Sequence, residues 1–230
     1  MKRHDYFFEI LTEEIPAWML RTRLGALRSD LSAVIAEISG VAPGGDALEV
    51  DATSRRIFFR IADLPERQAD REEEIKGPPE SAAFDAEGNP TRALEGFLRK
   101  NEVPVDRVER RAKYIWVRRI VPGRTAAEVL AARVPPLIEG MRWPKMMRFD
   151  GHSWIRPVHS VISILGGDEV PIEIFGLRSG RSTRGHRTRS DRAMIEIRSG
   201  ADYAAKLRET NVVVNAEERV EVMRAASERL

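Results

Sequence analysis

The sequence predicts an α+β protein: a mixed or antiparallel sheet with flanking helices. Three observations carry this. Strand-like and helix-like segments occur without the regular strand–helix alternation of a doubly wound sheet. A long amphipathic run extends from Leu20 to Ile38, and a hairpin signal stands in the second half.

Residues 6–11, YFFEIL, form a short aromatic and aliphatic run suited to a strand, and Thr12-Glu13-Glu14 breaks it before Pro16. Leu20, Leu24, Leu27, Leu31, Val34, Ile35 and Ile38 then recur at three- and four-residue steps as far as Gly40, as an amphipathic helix places them. After the loop Ala42-Pro43-Gly44-Gly45, residues 48–52 and 57–62 read as two strands around the polar corner Thr53-Ser54-Arg55. Residues 66–76 are dense in charge and end at Gly77-Pro78-Pro79.

Asn89-Pro90 offers an N-cap with proline at the first helical position, so a short helix is expected from there to about Asn101. Residues 114–121 alternate as a strand does. Thr125 with Glu128 is a capping box, and Val129, Leu130, Ala132 and Val134 continue a helix until Pro135-Pro136. Residues 158–165, the turn Gly166-Gly167-Asp168 and residues 170–175 give the hairpin. A last helix starts at the cap Asn215, with Glu217 and Glu218 in its first turn, and reaches Leu230 without a stop signal. No repeat or conspicuous linker appears, so residues 1–214 are read as one α+β domain, with 215–230 as the start of a connector helix.

Composition narrows the function. The 230 residues are 42% hydrophobic, and 38 Lys and Arg stand against 36 Asp and Glu, a net charge of +2. Any nucleic-acid contact must then rest on local clusters rather than a global field. The lack of cysteine excludes disulfides, thiolate nucleophiles and Cys-based zinc sites. The N-terminus reaches acidic residues and proline before any signal-peptide core, and no run is long enough to span a membrane, so a cytoplasmic location is expected. GxxxxGK[ST], GxGxxG, HExxH and GxSxG are missing, and His4, His152, His159 and His186 lack metal-ligand spacing, so neither a metal site nor a catalytic residue is assigned.

Three places could hold chemistry. Residues 141–149, MRWPKMMRF, alternate basic and large apolar side chains. Arg142, Lys145 and Arg148 would suit phosphate contacts, or Trp143, Met146 and Phe149 are core with solvated charges around them. Arg156 and His159 precede the hairpin's first strand, and Arg184, His186 and Arg187 follow its second. A hairpin would bring both loops to one end of the sheet as a phosphate-binding patch, with Gly185 allowing close backbone approach. Alternatively Arg156 pairs with a carboxylate such as Glu13 and serves the fold. Thr12, Glu13, Glu14 and Pro16 form a strand-to-helix junction whose carboxylates would serve as acid and base or sit at the helix N-terminus for its dipole.

FEILTEEIPAWML, TSRRIFFRIADLPERQADREEEIKGPP, AFDAEGNPTRALEGFLRKNEV, MRWPKMMRF, IRPVHSVISILGGDEVP, FGLRSGRSTRGHR and VVVNAEERVEVM resemble, in order and across nearly the whole chain, the N-terminal part of the bacterial glycyl-tRNA synthetase β subunit. The resemblance implies an α₂β₂ ligase that joins glycine to tRNA-Gly, using ATP and Mg²⁺. It places the class II aminoacylation site on the α subunit and assigns the β subunit mainly to tRNA recognition and assembly. A fold similar to the tRNA-binding or editing-type domain of the phenylalanyl-tRNA synthetase large subunit is implied too, with an HD-type domain following. On that expectation this stretch alone carries no catalytic residue and no cofactor; a hydrolytic editing domain and a purely structural module are the alternatives.

Overall fold

The structure, a computed structural model, describes residues 2–229 except Ala86 and Arg192. Ala86 of the Asp85–Gly88 turn and the far end of the last helix at Leu230 therefore lie outside the described residues.

Contacts divide the chain into two compact units, one formed by the residues up to Gln68 together with those from Arg124 on, the other being Ala69–Gly123. In chain order the first unit begins with β1 (Arg3–Thr12), α1 (Ala17–Ser39), β2 (Leu48–Thr53) and β3 (Arg56–Pro65). The second contributes β4 (Arg71–Pro79), α2 (Glu80–Ala83), α3 (Arg92–Asn101), β5 (Val108–Arg111) and β6 (Tyr114–Val121). The first unit resumes with α4 (Ala126–Glu139), β7 (Met147–Phe149), β8 (His152–Trp154), β9 (Val158–Leu165) and β10 (Asp168–Glu169). The short strands β11 (Glu173–Ile174), β12 (Leu177–Arg178), β13 (Ser182–Arg184) and β14 (Met194–Glu196) then precede α5 (Gly200–Glu209) and α6 (Ala216–Ser227).

The first unit is built on a five-stranded sheet of order β10-β9-β1-β3-β2 in which every pairing is antiparallel. Central β1 carries the run Tyr6–Leu11, apolar except for Glu9, because both its faces are covered. Tyr6, Phe8 and Ile10 enter one core with Leu27, Leu31, Val34 and Ile38 of α1 and Val129, Leu130 and Val134 of α4. Phe7 points to the other face, against Phe58, Ile162, Tyr203 and Leu207. Each fully buried Leu, Ile or Phe contributes about 1.5–3 kcal/mol of transfer free energy, so this two-sided burial fixes the register of β1. In the second unit, β4-β6-β5 form an antiparallel sheet with Ile115 and Val117 packed against Leu94 and Leu98 of α3.

The α1 helix ends as the sequence predicts, at Gly40 in the left-handed region (φ 78°), with its N–H bonded to Ala36 O. The capping box of α4 is present, Thr125 N donating to Glu128 Oε2 at 2.7 Å. Elsewhere the structure corrects the expectation. The α3 helix is capped by Thr91, not Asn89, because Asn89 N donates to Asp85 Oδ1 (2.6 Å) and closes a separate turn. The α4 helix runs through Pro135 and Pro136 to Glu139. The lost N–H bonds are outweighed by Val134 and Ile138, both fully buried. The hairpin turn is Gly166-Gly167, with φ of 59° and 104°, but its second strand stops at Glu169. Residues 173–174 instead pair with β12 around Phe175-Gly176.

Candidate functional site

The junction after β1 is held on two sides. Thr12 N donates to Arg55 O (2.8 Å) and Ile15 N to Ser54 O (2.6 Å), while Glu13 N donates to Pro157 O (3.1 Å). Pro16 occupies the N-cap of α1, its carbonyl accepting from Met19 N and Leu20 N. No acidic residue stands in the first turn, so the dipole reading of Glu13 and Glu14 gives way to ion pairing. Glu13 Oε1 meets His159 Nε2 at 2.8 Å and Arg55 Nη2 at 3.4 Å, and its Oε2 accepts from Arg187 Nη1 at 3.3 Å. Glu14 shares Arg55 (3.8 Å) and Arg187 (3.6 Å). The hydrogen bond from His159, then the arginine charges, hold the Glu13 carboxyl below the usual glutamate range.

His159, Arg184, His186 and Arg187 come together, lining a cavity of about 210 Å³ with Leu11, Glu13, Arg55, Gly185 and Ser190. They meet by a different route from the expected hairpin. The chain returns beside β9 through the bridge Ile162–Gly180, and β13 then contacts β9. Arg156 lies apart from this cavity. It donates from Nε to the backbone O of Glu14 and from Nη1 to Ile155 O (both 2.9 Å), and makes no ion pair with Glu13 among the described residues. Its Nη1 also lies 3.6 Å from Met147 Sδ, beside the β7–β8 hairpin.

Arg142, Lys145 and Arg148 do not line the cavity either. All are exposed and, among the described residues, none makes an ion pair. They surround an apolar anchor: Trp143 is buried edge-on against Trp154 (centroids 5.7 Å, 89°), with Met146 and Phe149 half-buried against the same core.

A buried polar cluster lies beneath the loop. Glu9 (0% exposed) and Arg56 (3% exposed) approach at 3.3 Å, and Tyr203 O–H donates to Glu9 Oε2. Arg56 Nη2 donates to the carbonyls of Arg184 and of Gly185, which anchors the stretch carrying His186 and Arg187. Burial pushes the Glu9 carboxyl up, and the Arg56 charge only partly opposes this. Sequence reasoning missed Glu9, Arg55 and Arg56. The available signal was a lone carboxylate inside FFEIL, since a charge in a strand buried on both faces requires a buried cation.

Fold and site together define an α+β protein whose loops gather arginines and histidines around a cleft at one end of its sheet. The chain belongs to the glycyl-tRNA synthetase β-subunit family, whose model matches residues 6–230. It is similar to the glycine–tRNA ligase β subunit of Thermotoga maritima, 38% identical over 92% of this chain and 31% of the relative. It is also similar to those of Desulforamulus reducens (35% identical, 95% and 32%) and Limosilactobacillus fermentum (33% identical, 94% and 31%). The chain thus spans about a third of the length of the curated relatives it matches.

Proposed function

We propose that the chain is a noncatalytic part of a glycine–tRNA ligase, acting in tRNA binding and subunit assembly. The enzyme would join glycine to tRNA-Gly with ATP and Mg²⁺, as an α₂β₂ assembly in the cytoplasm, the aminoacylation site lying on the α subunit. On this reading the chain's fold is related to the tRNA-binding or editing-type domain of phenylalanyl-tRNA synthetase. An HD-type domain follows the connector that begins at Asn215. Family membership supports the reading, and one observation carries the RNA contact: Arg142, Lys145 and Arg148 stand exposed without carboxylate partners among the described residues, around the buried Trp143. Uncommitted cations on a rigid anchor are what phosphate contacts require.

The test measures tRNA binding by the chain across salt concentrations. Replacing Arg142, Lys145 and Arg148 together by Ala should flatten the salt slope by roughly one unit per lost phosphate contact. An unchanged slope in a folded triple variant would remove the interface. Pyrophosphate exchange with glycine and ATP should be absent for the chain alone, and measurable exchange would overturn the noncatalytic assignment.

A further inference from the structure

The cavity beside Glu13 has more cationic capacity than its own carboxylate uses. Arg55, Arg184 and Arg187 line it, with Glu13 the single carboxylate among its lining residues. Glu14, which shares Arg55 and Arg187, lies outside it, against the neighbouring groove. Arg184 has no carboxylate partner among the described residues. Its Nε lies 3.3 Å from Met194 Sδ, a weak acceptor. His186 is fixed in one tautomer, because Nδ1 accepts from Thr188 N (3.2 Å) and Arg189 N (3.3 Å). A ring nitrogen that accepts carries no hydrogen, so Nε2 bears it as a donor with no partner among the described residues. The backbone that presents these groups is held from two sides. Arg56 holds the carbonyls of Arg184 and Gly185 from below, and Gly185 packs so closely on Thr210 that a Cβ would lie 2.4 Å from Thr210 Cβ.

We propose that this cavity is a binding site for a single phosphate group, occupied in the free chain by the Glu13 carboxylate, which an incoming phosphate displaces from Arg187 and His159. The Glu13 carboxylate already accepts from three donors, as a phosphate's oxygens would. Arg184 and the Nε2–H of His186 are the additional donors that a carboxylate with two oxygens does not reach and a phosphate with more acceptors does. Glu13 is therefore an internal competitor that weakens anion binding and makes it selective for phosphate over a singly charged carboxylate. Only the carrier of the phosphate, a polynucleotide backbone or a free phosphate, rests on the reading of this chain as an RNA-binding subunit.

The experiment titrates the 230-residue chain with inorganic phosphate by calorimetry, and then with a single-stranded oligoribonucleotide lacking terminal phosphate. Glu13→Gln keeps a carbonyl acceptor for His159 but removes the competing charge, and should tighten phosphate binding about tenfold. Adding Arg184→Ala should abolish that gain. Glu13→Gln binding phosphate no tighter than the unaltered chain, or Glu13→Gln/Arg184→Ala keeping the gain, overturns the proposal. Should Glu13→Gln fail to fold, Arg184→Ala and His186→Ala in the unaltered chain decide: each should weaken phosphate binding, and unchanged affinity in both overturns the site. Competition between phosphate and the oligonucleotide identifies a backbone phosphate as the ligand. Phosphate binding without competition identifies a free phosphate, leaving the site intact while removing its link to RNA.

Discussion

Glu13 Oε1 lies 2.8 Å from His159 Nε2, a contact between side chains 146 residues apart. It exists because β1 and β9 are direct antiparallel neighbours, Leu11 opposite Ser160 and Thr12 opposite Val158. The end of β1 is thereby placed beside the start of β9, and Arg187 closes the group from the third side.

That contact makes stability depend on acid. The Glu13 carboxyl sits below its ordinary value of 4.5, chiefly through the His159 hydrogen bond. A lowered carboxylate pKa contributes stability that is fully present above the unfolded value and lost as pH falls through the folded one. Urea unfolding of the chain and of Glu13→Gln, compared over a series of pH values, should show a stability difference favouring the unaltered chain at neutral pH and shrinking below about pH 4.5. Asp5, Glu128 and Asp202 are lowered too, so the difference between the two proteins is the quantity to follow. A difference independent of pH would show that the Glu13 charge is not what its contacts stabilise.

The buried Glu9–Arg56 pair gives a larger effect. Arg56→Met leaves Glu9 buried without its cation and should cost ~3–5 kcal/mol in urea unfolding. Glu9→Gln in the same protein should recover part of the loss, because the uncompensated charge is gone. Tyr203→Phe removes only the O–H donated to Glu9 and should cost ~1–3 kcal/mol. An Arg56→Met loss no greater than that of Tyr203→Phe would mean that the buried Glu9 does not depend on its cation.

Gly185 tests how tightly the cavity loop is seated. A Cβ there would fall 2.4 Å from Thr210 Cβ and 3.0 Å from Ser190 Oγ, so Gly185→Ala must push the loop off α5. Overpacking of this kind costs ~1–3 kcal/mol. Thr210→Gly in the same chain opens the space, and the two changes together should be less damaging than their summed effects. Strict additivity in thermal unfolding would show that the two residues do not compete for that space.

Elements with local signals were legible: α1 by its three- and four-residue spacing and Gly40 stop, α4 by its Thr125 box, and β2 and β3 as apolar runs around the polar corner Thr53-Ser54-Arg55. Charge masked β4 and β5. In REEEIK the carboxylates of Glu73 and Glu74, on opposite faces of the strand, are satisfied across the sheet by Arg119 and Arg118, pairings visible only after folding. The β7–β8 hairpin carried a local signal that went unread, Asp150-Gly151 with φ of 45° and 80°, between two short strands. The α5 helix carried one too, since Ser199 N donates to Asp202 Oδ1 at 3.1 Å and Tyr203 and Leu207 are four residues apart. At the site the histidines and arginines could be picked out by residue type. Their shared counterion could not, because Glu13 meets Arg55 through the β1–β3 pairing, His159 through the β1–β9 pairing and Arg187 through the returning loop.

The last helix is the clearest case of an element anchored at one end only. Asn215 caps α6 by accepting from Glu218 N (2.9 Å), and Ala216 N donates to Asp51 Oδ2 (2.8 Å). Arg219 then ties the first turn down, donating to Val213 O (2.9 Å), Val214 O (2.6 Å) and Ala52 O (2.8 Å). Among the described residues beyond it, nothing comparable follows. No residue of α6 is buried, and Val220, Val222 and Met223 are 48%, 52% and 60% exposed. A twelve-residue helix without a packed face is marginal in water, so its persistence must come from the anchored end. Amide hydrogen exchange on the chain should therefore show protection at Arg219 and Val220, falling steeply from Met223 onward, while β1 and α1 exchange only through global unfolding. Arg219→Ala should abolish protection throughout α6 and leave the β1 amides unchanged. Uniform protection to the end of α6 in the unaltered monomer would show that the helix is stabilised by something other than its anchored first turn.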